Sequence, residues 1–138
     1  YLHRSMTYRR VDCGPGGASV ATLTLTNRAP ARGLPPYVTV RADQHTDAVQ
    51  PGDNRLLVTY YASPGADLQS ITLDGKPLIT ATAPESGLVS VTVDVELPTG
   101  GSRTLRVVFS EPAAYQPVQI LRQPLVWPML ESIKDGCA

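Results

Sequence analysis

Residues 88 to 97 read LVSVTVDVEL, so Val89, Val91, Val93, Val95 and Leu97 alternate with Ser90, Thr92, Asp94 and Glu96. A period of two puts the aliphatic set on one face of an extended strand and the polar set on the other. A helix with this spacing would scatter both sets around its surface. The chain is thereby committed to a half-buried β-sheet, and the pattern recurs. In ASVATLTLTN, 18 to 27, Ala21, Leu23 and Leu25 oppose Thr22, Thr24 and Thr26; in NRLLVTYYA, 54 to 62, Leu56, Val58 and Tyr60 oppose Leu57 and Tyr61. SRTLRVVFS, 102 to 110, directs Leu105, Val107 and Phe109 to one side.

Turns separate these runs. The chain holds 11 Gly and 13 Pro, 7 and 6 of them in CGPGG, RAPARGLPP, SPGAD and PTGG, and Asp74-Gly75 is a two-residue hairpin turn. Further strands are expected at 4 to 11, at 37 to 41 (YVTVR), around Ile71 and Leu73, and at 117 to 123 (PVQILRQ). LESIK, near residue 131, offers one helical turn at most. The expected fold is all-β: an immunoglobulin-like, two-sheet antiparallel sandwich of about seven to nine strands in a single domain over 1 to 138. Prolines in and beside several strands disfavour a closed barrel. The register places Val91 and Val93 beside Leu105 and Val107 across a PTGG hairpin.

Charge narrows the function classes. Twelve Lys+Arg balance 12 Asp+Glu, and 17% of residues are charged. A nucleic-acid binder needs a basic surface that this balance does not supply. No apolar stretch reaches the ~18–20 residues of a membrane span. The opening YLHRSMTYRR is polar, without the apolar core of a signal peptide or an initiator Met, as expected of a domain excised from a longer chain or of a processed product. As isolated, the domain is expected to be monomeric.

Cys13 and Cys137 lie near opposite ends and lack the spacing of a zinc or redox motif. The preferred reading is a disulfide, because the polar tail KDGCA has little else to dock it; the alternative is two unrelated thiols. Closing so long a loop is worth roughly 5 kcal/mol in the chain-entropy model, and a disulfide implies an oxidising compartment.

Other candidates are weighed against plainer readings. Asp43, His45 and Asp47 share a face if ADQHTDA is extended and would suit a metal, but a solvated loop explains them better, so no metal or cofactor is assigned. CGPGG lacks the following helix and GK[ST] of a phosphate loop, which leaves a turn. Asp94 and Glu96 share an outward face, without the cleft that glycoside hydrolysis requires. Tyr37, Tyr60, Tyr61, Tyr115 and Trp127 include possible sugar-stacking rings. Tyr60 and Tyr61 point to opposite faces, which leaves Tyr61 and Trp127 as the contact candidates for a ligand or partner. PLVWPML, 124 to 130, is too apolar for a free tail, and is expected to pack across the sandwich with Trp127 buried rather than to present Trp127 and Met129 to a partner.

The strings VATLTLTNRAPARGLPPYV, PGDNRLLVTYYASPGADLQSITLDGKPL, VELPTGGSRTLRVVFSEP and LRQPLV carry a resemblance over roughly residues 8 to 126. Their TLTN-x-AP loop, PG-x-N-R strand start and LP-x-GG-x-R-T hairpin resemble the C-terminal region of an uncharacterised family of large, membrane-anchored actinobacterial and other Gram-positive proteins, a domain of unknown function. The resemblance implies an extracytoplasmic β-sandwich and transfers no catalytic residue. The expected function is a noncatalytic accessory or interaction domain at the cell surface, with an unknown protein or glycan as partner. The alternative is a carbohydrate-binding module for cell-wall or extracellular glycan; a hydrolase ranks third.

Overall fold

The computed structural model describes residues 1–41, 49–112 and 117–137. Among these residues nine strands follow in order: β1 (Leu2–Arg10), β2 (Ala18–Asn27), β3 (Asn54–Ala62), β4 (Asp67–Leu73), β5 (Lys76–Pro77), β6 (Thr82–Glu85), β7 (Leu88–Leu97), β8 (Ser102–Ser110) and β9 (Leu130–Asp135). They form a six-stranded sheet, β5-β4-β8-β2-β1-β9, and a three-stranded sheet, β3-β7-β6. The architecture is an all-β, two-sheet sandwich. Every pairing is antiparallel except that of β9 with β1, which is parallel.

The alternation seen in the sequence sets the register. Met6, Leu23, Leu105 and Leu73 lie in one row across the large sheet, and Tyr8, Ala21, Val107 and Ile71 in the next. In the small sheet Leu56 faces Val95, Val58 faces Val93 and Tyr60 faces Val91. The inward rows of β7 and β8 meet in one core with Leu25, Ile71 and Phe109, and Phe109 stacks on Tyr60 with centroids 5.7 Å apart.

Val91 and Val93 do pack with Leu105 and Val107, but across the sandwich and not across a hairpin, because PTGG carries the chain from one sheet to the other. At that end Asn27, itself buried, clasps the layers: its side-chain amide donates to Gly52 O (2.8 Å) and Leu97 O (3.3 Å), and its Oδ1 accepts from Ala29 N (3.0 Å). Asp53 adds a second tie by accepting from Thr99 N (2.8 Å) and Gln50 N (2.9 Å).

Three expected elements differ. YVTVR is not a strand; Pro36–Thr39 form one helical turn, α1, because Pro35 and Pro36 fix φ and leave Val40 N–H to bond Pro36 O (2.9 Å). LESIK is not a helical turn but most of β9: so short a helix nucleates poorly, while the edge of β1 offers a ready ladder. PVQILRQ is not a strand; it runs as part of a strap, 117–129, in which the Gln123 and Trp127 carbonyls accept from the side chain of Arg4. Strand β6, TAPE, carries no apolar alternation and is exposed throughout; it reaches β7 through Ser86-Gly87, whose φ values of 51° and 81° make a two-residue hairpin turn.

Cys13 and Cys137 are joined, with Cα atoms 5.4 Å apart, tying the β1–β2 loop to the end of β9. CGPGG is a turn, as expected. A Cβ on Gly17 would lie 2.3 Å from Asp12 O, so only glycine fits there.

Candidate functional site

The two sheets are unequal, and the inequality makes the site. Among the large-sheet strands, β7 lies over β8 and β2. Burial then falls towards the edge: Ala21 and Leu105 are buried, Arg4 and Met6 half-buried, and Ile133 on β9 exposed. Beyond β3, among the described residues, the inner face of β1 has the strap above it and no strand of the small sheet.

Between β3, β1 and the strap lies a cleft of about 750 Å³. Its walls include Met6, Leu23, Leu56, Val58, Val118 and Ile120. Open on one side and partly polar, the cleft is accessible to solvent or a ligand.

Polar groups gather at two places. At one, Tyr8, Arg10, Tyr60 and Glu111 all line the cleft. Ser19 Oγ donates to Glu111 Oε1, while Glu111 Oε2 is buried without a hydrogen-bond partner among the described residues. Arg10 lies 4.0 Å from Asp135, with both side chains about nine-tenths buried. Burial pushes the Tyr60 hydroxyl well above its ordinary titration range, reinforced by Tyr8 and Glu111. At the other, the Arg4 guanidinium donates to Gln123 O (3.1 Å) and Trp127 O (3.3 Å) and meets no carboxylate among the described residues.

β3 runs along the cleft by its edge. Residues 56 to 62 all line it, including Leu57, Thr59 and Tyr61, whose side chains point out of the sandwich. The hairpin turn at Ser86-Gly87 fixes which backbone groups face the cleft. Its closing pair, Glu85 and Leu88, is hydrogen-bonded, so the even-numbered residues of β7 bond β6 and the odd-numbered ones bond β3. Val91, Val93 and Val95 thus use Tyr60, Val58 and Leu56, and the N–H and C=O groups of Leu57, Thr59 and Tyr61 turn outward. No described residue bonds them.

The candidates from the sequence fall in different places. Tyr61 is 45% exposed on β3, and the neighbouring Glu85 carboxylate raises its pKa. Trp127 is 49% exposed, and stacks on His3 with centroids 5.0 Å apart. The strip around it is not the buried packing segment expected, for Val126 is 93% exposed: at this overhang no second sheet covers it. No ring contact joins Tyr61 to Trp127 among the described residues. Asp94 and Glu96 are engaged by Arg55 and Arg41. Asp43, His45, Asp47 and Tyr115 lie outside the described residues, and no cluster of three metal-ligating side chains occurs among those described. No helix is long and apolar enough to cross a membrane, again among the described residues. The cleft itself escaped the sequence reading, because it arises from unequal sheet widths and not from any motif.

No protein-family model and no curated protein matches the sequence. Among solved structures, the chain is similar to an M1 zinc metallopeptidase from Deinococcus radiodurans, at 16% identity and a TM-score of 0.36 over 80% of this chain and 20% of that one. A substituted form of that peptidase with a Tyr-Ser-Ala substrate gives 17% identity and a TM-score of 0.37 over 88% of this chain and 23% of that one. The chain thus spans about a fifth of the peptidase chains it matches.

Proposed function

We propose that the chain is a noncatalytic interaction domain, an accessory to a larger extracytoplasmic protein. The observation that carries this reading is the cleft of about 750 Å³ beside β3, in the size range of ligand sites but walled mainly by aliphatic side chains. Its most buried carboxylate, Glu111, is held by Ser19 and stands apart from both histidines of the chain, His3 and His45, in sequence. The Cys13–Cys137 bond supports an oxidising compartment. The resemblance to the C-terminal region of large membrane-anchored Gram-positive proteins adds a cell-surface setting.

A photo-crosslinking residue at Leu121, 87% exposed at the cleft, compared with one at Lys76 on β5, tests the reading in the native cell envelope. The expected outcome is a discrete adduct from position 121 and none from position 76. Equal labelling from both, or turnover of an ester, peptide or glycoside substrate by the pure chain, would overturn it. Retention on cell-wall polysaccharide, lost in Tyr61→Ala, would instead favour the glycan module.

A further inference from the structure

We propose that the cleft takes a fourth strand for the small sheet: an extended segment of a partner polypeptide, apolar at alternate positions and carrying a carboxylate. The inference rests on the interaction-domain reading and names the partner's chemistry. β3 is nine residues long, pairs regularly with β7 without a bulge, and contains no proline. Natural edges usually carry such blunting devices, and an edge without them is a template for another strand.

Leu57, Thr59 and Tyr61 offer their N–H and C=O groups at the spacing of an antiparallel ladder. An alkyl chain lying in the cleft would cover these groups without bonding them, at ~1–3 kcal/mol for each group left unsatisfied. A peptide backbone satisfies every one of them. On such a strand, the residues placed beside Val58 and Tyr60 would point inward, over Met6 and Leu23, which calls for apolar side chains at alternate positions. Arg4 supplies the charge complement. It lines the cleft with a full positive charge answered, among the described residues, by two carbonyls and no carboxylate, so a carboxylate on the incoming strand gains a charge-assisted partner.

The test uses the isotopically labelled 138-residue chain and an end-blocked peptide of alternating threonine and valine with one central glutamate. Saturable amide shifts concentrated at Leu57, Thr59 and Tyr61 are expected. Methylating the peptide nitrogens that face β3 should weaken binding about tenfold or more. Thr59→Pro should do the same and keep the fold, because an outward N–H takes no part in the β3–β7 ladder. Exchanging glutamate for lysine in the peptide should weaken binding several-fold at low salt and less at high salt.

Binding indifferent to both N-methylation and Thr59→Pro would overturn the proposal. So would shifts produced at the cleft by dodecanoate but not by the peptide. If crosslinking from position 121 still finds a partner while the peptide leaves β3 untouched, the interaction domain stands and strand addition falls.

Discussion

The two sides of the sandwich are built from the same alternating sequence and reach opposite ends. Where β7 lies over β8 and β2, Val91, Val95, Leu97, Leu105 and Phe109 are almost wholly buried, and Asn27 and Asp53 tie the layers together. Where β1 and β9 extend past the small sheet, comparable strands leave Met6 half-covered and Ile133, beside Tyr8 on the same face, 47% exposed. The strap there is held by the Arg4 side chain, the Arg122–Glu131 pair and the His3–Trp127 stack. Alternation decides which face of a strand is apolar. It does not decide whether a second layer arrives to cover that face.

The largest contrast should come from charge. Val93→Asp buries an unpaired carboxylate in the closed half and should unfold the chain, while Val118→Asp, half-buried on the strap, should cost ~1 kcal/mol or less. Circular dichroism with denaturant titration separates them, and equal costs would erase the distinction between the halves.

Removing the disulfide comes next. Cys13→Ser with Cys137→Ser should cost ~2–4 kcal/mol, and even the lower figure means a Tm roughly 5–10 °C lower by calorimetry. The loss should be lopsided: β9 amides should exchange first, because the bond anchors the end of β9, whereas β1 and β2 at its other end keep their own ladder.

These expectations show what was legible in the sequence. The strong alternators β2, β3, β7 and β8 were, and so was the disulfide, because their signals are local or rest on a pair of unusual residues. Which sheet each strand joins was not, since PTGG reads the same as a hairpin or as a crossing between layers. The parallel pairing of β9 is invisible to periodicity. LESIKD carries no strong pattern, and it becomes a strand because the edge of β1 is free and Cys137 holds the tail beside it. PVQILRQ alternates well enough to suggest a strand, yet alternation gives it no partner. The open edge became visible only once the hairpin at Ser86-Gly87 had set the parity of the β3–β7 ladder.

A smaller effect marks the clasp at the closed end. Burial opposes ionisation of Asp53, but hydrogen bonds from Thr99 and Gln50 outweigh it and hold its pKa below the usual carboxylate value. A carboxyl group depressed on folding stabilises above its unfolded pKa, and that contribution is lost as pH falls through the folded value. Asp53→Asn should cost ~1 kcal/mol at neutral pH and flatten the acid limb of the stability curve below about pH 4.

The smallest effect reports on the open side. Local desolvation and Arg28 lower the pKa of His3, so its ring is neutral against Trp127 at neutral pH. Emission from Trp127, the one tryptophan in the chain, should change with a midpoint below 6.5, the ordinary histidine value. His3→Ala should abolish that transition while leaving the melting temperature nearly unchanged.

Hydrogen exchange along β3 tests the open edge itself. In native buffer without a partner, the amides of Leu56, Val58 and Tyr60, bonded to β7, should exchange slowly, and those of Leu57, Thr59 and Tyr61 rapidly, residue by residue along one strand. Slow exchange at all six positions would mean that the strap already fills the edge, and would contradict the open cleft.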